Sequence, residues 1–409
     1  PHLWLEEVED PAALEWVETR NDIAIGELTG DTRYEEIRED LLEVYNSRDR
    51  IPSVTRHGNF YYNFWQDAEH VRGIWRRCSP ASYATAEPEW ETVFDVDALA
   101  EAEDVSWVWK GATVQDIDHS RALLRLSDGG QDASEYREFD LQTLEFIENG
   151  FELSSGRNRA DWIDADTLLI GAFPRDDDAT DSGYPRRTRI WQRSTPIEDA
   201  EIVHEIDPKK VGAFLVISNN TSGRQLLIHE AVTAFETNYW LINDNQSLDK
   251  VDVPPLSDIA FFQDQLLVEL KSDWSIGGTT YPIGALLSTN LADFQAGKRK
   301  FDILFNPAPR VSLESFTITR NYVILNLLEN VNGRIRALQR SGNDWQTSTL
   351  GTSSIGNASA RAVASDLNDE VFLVTSNFLE PSTLSLANLP TGKLAKLKQT
   401  PAYFDNSGL

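Results

Sequence analysis

The chain has 409 residues, 41% of them hydrophobic, with 12 tryptophans. That is ample material for a packed core and argues against disorder in the body of the chain. Its 66 acidic residues against 37 basic ones leave a formal charge of −29. Nucleic acid is excluded as a partner, because phosphate binding needs clustered Lys and Arg, and an anionic membrane surface is disfavoured for the same reason.

Residues 1–46 read as a helical segment. Asp10-Pro11 followed by Ala13, Trp16, Val17, Arg20 and Ala24 predicts a capped amphipathic helix with Pro in its first turn. Thr32-Arg33-Tyr34-Glu35 fits a capping box, and Tyr34, Ile37, Leu41 and Val44 then share one helical face.

Residues 47–390 carry seven similar units. Each opens on a strand-like apolar run, at 60–65, 122–127, 167–172, 225–230, 265–270, 322–327 and 370–375. A second run follows at 74–77, 137–141, 189–192, 239–242, 285–288, 334–338 and 383–386, most of them preceded by polar or Gly/Pro-containing turns such as Asp128-Gly129-Gly130 and Asn332-Gly333. The runs recur every 40 to 62 residues. A sheet unit with that period predicts an all-β, seven-bladed β-propeller with blades of mostly four antiparallel strands, the runs at 122–127 and 265–270 being interior strands. Such a ring escapes the size limit of a single core, because each blade buries its faces against its neighbours. The polar stretch 173–187 and the stretch 272–282 read as loops, the latter with exposed aromatics. Residues 391–409, Lys-rich and then Pro- and Gly-containing, read as a linker.

One cysteine, Cys78, allows neither an intrachain disulfide nor a Cys-based zinc site and fits a reducing compartment. The expected location is cytoplasmic, with the periplasm left open because the sequence starts at Pro1 and upstream residues are expected to be missing. No apolar run approaches the length of a membrane span. Methionine is absent; the expectation is that methionines exist in the protein and are missing from this sequence, which an intact mass decides. The acids are spread along the chain and read as solubility, against the alternative of an acidic channel that attracts cationic peptides.

No nucleophile elbow Gly-x-Ser-x-Gly occurs; the stretch 351–356 misses the second glycine by one position and reads as a surface turn. There is no His-Glu-x-x-His and no phosphate loop, and 128–132 reads as a hairpin loop. The six histidines (His2, His57, His70, His119, His204 and His229) show no metal-ligand spacing, and His229 reads as a structural histidine within an apolar strand. Asp176, Asp178 and Asp181 suggest a calcium loop, but Asp181 and Arg187 stand where that loop needs Gly and Glu, so a solvated loop is expected. Trp107, Trp109, Trp274 and Tyr281 could line a peptide-contacting surface; wedging between blades is the alternative. No catalytic, cofactor-binding or metal residue is assigned, and no cofactor is expected.

Several of these stretches, in order, resemble the N-terminal half of prolyl oligopeptidase-type serine peptidases. They include His2-Leu3-Trp4-Leu5-Glu6-Glu7, Tyr61-Tyr62-Asn63-Phe64-Trp65-Gln66-Asp67, Gly73-Ile74-Trp75-Arg76-Arg77, Trp109-Lys110-Gly111-Ala112, Ser127-Asp128-Gly129-Gly130-Gln131-Asp132-Ala133 and Arg137-Glu138-Phe139-Asp140. Further along come Ser182-Gly183-Tyr184-Pro185-Arg186, Leu270-Lys271-Ser272-Asp273-Trp274, Gly277-Gly278-Thr279-Thr280-Tyr281-Pro282 and Pro401-Ala402-Tyr403-Phe404-Asp405. The resemblance implies an N-terminal helical segment that packs on a C-terminal α/β-hydrolase domain, with a seven-bladed propeller inserted between them to cover the active site and restrict it to short peptides. It places the Ser, Asp and His of the triad in that hydrolase domain, so no position here corresponds to one of them, and this chain by itself is expected to be inactive. The parent protein is expected to hydrolyse peptide bonds, after proline. The alternatives are a free-standing binding propeller and a catalytically dead member of the family.

Overall fold

The structure, a computed structural model, describes every residue except Pro1, Val8, Asp176, Thr352, Ser353 and Ser354. The chain divides into two compact units, Pro1–Arg50 with Gln66–Val71, and Ile51–Trp65 with Arg72–Leu409.

The first unit is helical. A short 3₁₀ turn, Leu3–Glu6, precedes α1 (Pro11–Thr29) and α2 (Arg33–Asn46). Asp10 caps α1 as expected, accepting from the Ala12 N–H at 2.8 Å, and Trp4 meets Trp16 edge-on at 6.4 Å. The capping box expected at Thr32 is not formed. Thr32 makes no cap hydrogen bond, and the Asp31 carboxylate instead accepts from the Arg33 N–H at 2.9 Å and pairs with its guanidinium. A carboxylate one residue upstream outcompetes a hydroxyl, because it is the stronger acceptor near the positive helix end.

The second unit is the ring of blades, each a four-stranded antiparallel sheet with strands A to D in chain order. Blade 1 is Thr55–His57, Phe60–Trp65, Ile74–Cys78 and Glu91–Asp95; blade 2 is Trp107–Val114, Arg121–Asp128, Ser134–Asp140 and Glu145–Phe146. Blade 3 is Arg159–Asp164, Thr167–Gly171, Arg187–Gln192 and Glu201–Glu205; blade 4 is Gly212–Asn220, Gly223–Ala231, Thr237–Ile242 and Leu248–Val251. Blade 5 is Ser257–Phe262, Gln265–Leu270, Leu286–Asn290 and Asp302–Phe305; blade 6 is Val311–Ile318, Tyr322–Glu329, Asn332–Ser341 and Asp344–Leu350. Blade 7 is Asn357–Ala362, Glu370–Ser376, Thr383–Asn388 and Lys393–Gln399. In blade 2 an additional strand, Glu152–Gly156, also pairs with strand C.

All seven apolar runs fall on strand B and all seven follow-on runs on strand C, so the expected seven-bladed propeller is the fold, with 122–127 and 265–270 interior. The reason is visible in the core, which consists of seven apolar clusters, one at each junction between consecutive blades. Strand B of blade 5 turns Leu266 and Val268 toward blade 4 and Leu267 toward blade 6. Both faces are buried, so the strand reads as a continuous apolar run. No strand is shared between blade 7 and blade 1. That seam is closed by Val54, Tyr61 and Tyr83 against Val363, Phe372 and Leu384, with Arg56 3.8 Å from Glu370 and Lys398 donating to the Thr85 carbonyl at 2.9 Å.

Three sequence expectations need correction. The linker expected from residue 391 begins too early: Lys393–Gln399 is strand D of blade 7, an outer edge strand whose lysines are the usual protection of an exposed sheet edge and therefore look like linker. The 272–282 stretch folds as a small hairpin, Trp274–Ile276 with Thr279–Tyr281, whose aromatics pack on Phe301 at 5.0 and 5.7 Å instead of facing water. The 173–187 stretch is not a solvated loop at Asp178, which is fully buried.

Candidate functional site

Antiparallel alternation puts the A–B and C–D turns of every blade at one end of the ring and the B–C turns at the other. At the A–B end, strand A residues of blades 1, 5, 6 and 7 and the A–B loop of blade 2 surround one cavity of about 620 Å³. Residues so distant in sequence meet because the A strands are the innermost ones and face the axis. Arg56 and His57 come from blade 1, Asp116 and His119 from blade 2, Phe316 and Thr317 from blade 6, and Ser365 and Asp366 from blade 7.

The two histidines set the character of the wall. Their rings lie 6.2 Å apart. Burial, reinforced by the neighbouring His119, pushes His57 down to about 4, so it is neutral at physiological pH. Gly58, at φ +56°, is required here, since a Cβ would approach the His119 ring to 3.1 Å. Nearby, Asp161 on strand A of blade 3 is partly buried, and the loss of hydration raises it to about 6. The Trp162 N–H and Arg224 oppose the rise, and Asp116 adds to it.

The remaining residues singled out from sequence lie elsewhere. His70 bonds Asp67 at 3.1 Å, and His204 bonds the buried Glu230 at 2.9 Å. His229 packs edge-on to Tyr239 at 4.8 Å, a structural role. Asp178 accepts from Arg187 at 2.8 Å and from Arg189 at 2.5 Å, so its carboxylate is committed to two guanidinium groups. Asp176, and Thr352 to Ser354 of the 351–356 turn, lie outside the described residues. Trp109 stacks on Phe64 at 5.3 Å, and Trp107 is buried with its indole N–H on Glu103. These two wedge between blades 1 and 2, and Trp274 and Tyr281 between blades 4 and 5, the alternative role expected for them. Among the described residues, no group of three or more His, Cys, Asp or Glu is placed to hold a metal ion. No helix among them is long and apolar enough to cross a membrane. The His57–His119 pair escaped sequence reasoning because 61 intervening residues separate partners that no local pattern connects.

A seven-bladed ring around an axial cavity, with each blade continuous in sequence, defines a class of propeller domain. The comparisons identify the family. The model of the prolyl oligopeptidase N-terminal β-propeller domain matches residues 1–400, and the chain belongs to that family. It is 32% identical over its whole length to the uncharacterized peptidase y4nA of Sinorhizobium fredii and covers 58% of that protein. It is 25% identical over 98% of its length to the uncharacterized peptidase RP174 of Rickettsia prowazekii, again covering 58%. The chain thus spans less than two thirds of the curated relatives it matches. Among solved structures, a post-proline cleaving enzyme from Rickettsia typhi superposes with a TM-score of 0.90 at 23% identity, over 99% of this chain and 61% of that one. Oligopeptidase B from Leishmania major superposes with a TM-score of 0.75 at 13% identity, over 100% and 57%. At those identities the likeness is one of fold.

Proposed function

We propose that this chain is the propeller portion of a serine peptidase that hydrolyses short peptides after proline, and that the ring gates access to a hydrolase domain in the longer protein. The observation that carries the reading is the family match over nearly the whole chain, together with relatives that are peptidases and extend well beyond it. On this reading the ring supplies no catalytic group, needs no cofactor, works in the cytoplasm, and acts by excluding substrates too large for the enclosed active site.

On the same reading the hydrolase domain covers the B–C end of the ring. Strand A of blade 1 starts, and strand D of blade 7 stops, at the B–C end. The B–C turns there carry Phe235, Ile283, Val331 and Phe378, exposed at 83%, 57%, 84% and 93%. Four apolar tips on four consecutive blades suit a covered surface better than a wet one. The helical segment fits the same arrangement, because α1 and α2 leave Leu14, Val17, Ile37 and Leu41 exposed; on this reading they pack on the hydrolase domain, and residues 400–409 lead to it.

The test has two arms. The purified chain is expected to hydrolyse no peptidyl-prolyl reporter; turnover sensitive to a serine reagent would overturn the division of labour. The longer protein is expected to cleave a short prolyl peptide and to spare the same bond inside a folded protein. Equal rates on both would overturn the gate.

A further inference from the structure

The A–B hairpin of blade 4 is longer than that of blade 5, its strand A running nine residues against six. In blade 5 the apolar run starts directly after the turn, at Gln265, whereas in blade 4 the exposed pair Gly223 and Arg224 comes between the turn and Gln225. The hairpin therefore projects two residues further, about 7 Å at strand rise. Its tip, from Asn219 to Arg224, carries no large apolar side chain.

The tip reaches across the mouth of the channel. The Asn219 amide donates to the Asp116 carboxylate at 2.5 Å, which links blade 4 to blade 2 over the intervening blade 3. On its other side, Asn219 and Asn220 share a cavity of about 150 Å³ with Gln263 of blade 5, Arg320 of blade 6 and Ser365 of blade 7. One tip thus faces four other blades. Within the hairpin, Arg224 donates to the Asn219 side-chain oxygen at 2.8 Å and orients that amide, and Asn220 accepts from the Ser222 N–H at 2.8 Å. The side-chain amide nitrogen of Asn220, at the same cavity, has no hydrogen-bond partner among the described residues.

We propose that the 219–224 tip is a strap across the A–B mouth of the channel, latched by Asn219 on Asp116, and that release of this latch lifts it and widens the mouth. The strap follows from the ring alone. Only its consequence for peptide traffic rests on the peptidase reading.

The experiment is a distance measurement between nitroxide labels at Thr221→Cys and Asn59→Cys, which place one label on the tip and one on the A–B turn of blade 1. Cys78 is buried, and burial raises its thiol to about 11, so it stays unlabelled. The latched protein is expected to show one short distance. Asn219→Ala is expected to add a second population, longer by about 7 Å, and Asp116→Asn, which keeps an acceptor, to retain the single distance. Identical distributions in all three proteins would overturn the strap, as would a second population in Asp116→Asn. In the longer protein, a distance change with unaltered kcat/KM on short peptides would leave the strap standing and sink the use of this mouth as a portal.

Discussion

The helical unit and the ring are built from comparably apolar segments, yet their fates differ. In α1 and α2 only Ala13 is buried, whereas in the ring the centre of every B strand is buried. Amphipathic pattern therefore does not measure stability; burial against a partner does. A B strand has two partners, the blades on either side, and its side chains leave water on both faces. The helices' apolar stripes remain wet, and stability is unequal along the chain as a result.

Amide exchange offers the largest test of this contrast. Residues 11–46 are expected to exchange roughly a thousandfold faster than the B strands, the former near local fraying and the latter near global unfolding. Equal protection in a demonstrated monomer would show that the helices are stabilised without a further domain, and would remove the role proposed for their faces. Cavity mutations come next. Leu267→Ala, in the fully buried cluster between blades 5 and 6, is expected to cost about 2–5 kcal/mol in denaturant unfolding. Leu41→Ala, half exposed on α2, is expected to change it by less than about 0.5 kcal/mol.

The charges sharpen the comparison, because ion pairs in the helices lie at the surface while the ring buries several. Glu230 accepts from Lys210, His204, Asn238 and Trp240. Against the penalty of burial, His204 and then Lys210 and Asn238 hold it down at about 2. Its folded value lies below its unfolded one, so its contribution is present above about pH 4.5 and is lost as pH falls toward 2. Glu230→Ala is expected to destabilise the ring by about 3 kcal/mol at pH 7 and to flatten its acid limb. His57, lowered to about 4 mainly by burial, acts in the same direction: its contribution is present above about pH 6.5 and is lost between there and 4. Acid should therefore unfold the ring while leaving helix content in residues 11–46 unchanged, a separation that circular dichroism and tryptophan fluorescence together can read.

Asp161 has the opposite sign, and its expected effect is smaller than that of Glu230. Its folded value, raised to about 6 chiefly by burial, favours the neutral acid, so any benefit is present below about pH 4 and is lost as pH rises through 6. Asp161→Asn is expected to stabilise the ring at pH 7.5 by about 1–2 kcal/mol and to do little at pH 4. No change at either pH would mean that this carboxylate reaches water beneath the blade 4 hairpin.

By itself the sequence determined what is local or periodic. The seven B strands and their C partners were legible because every blade repeats one requirement, an apolar strand buried on both faces and returned by a tight turn. The cap at Asp10 and the helical character of residues 1–46 were legible for the same reason, since a helix is specified by residues three and four apart. The resemblance to the family was legible too, spread over stretches from the first residues to the last. What only the tertiary structure decided are contacts between residues far apart along the chain. Lys393–Gln399 is a strand because Thr383–Asn388 offers it an edge. Asp178 is buried because Arg187 and Arg189 close over it, and the aromatics that could have lined a surface fill gaps between strands. The cavity wall of His57, Asp116 and His119, and the tip that Asn219 carries across it, depend on where the ring brings the A–B turns together. No spacing in the sequence encodes such a meeting, because curvature accumulated over whole blades sets it.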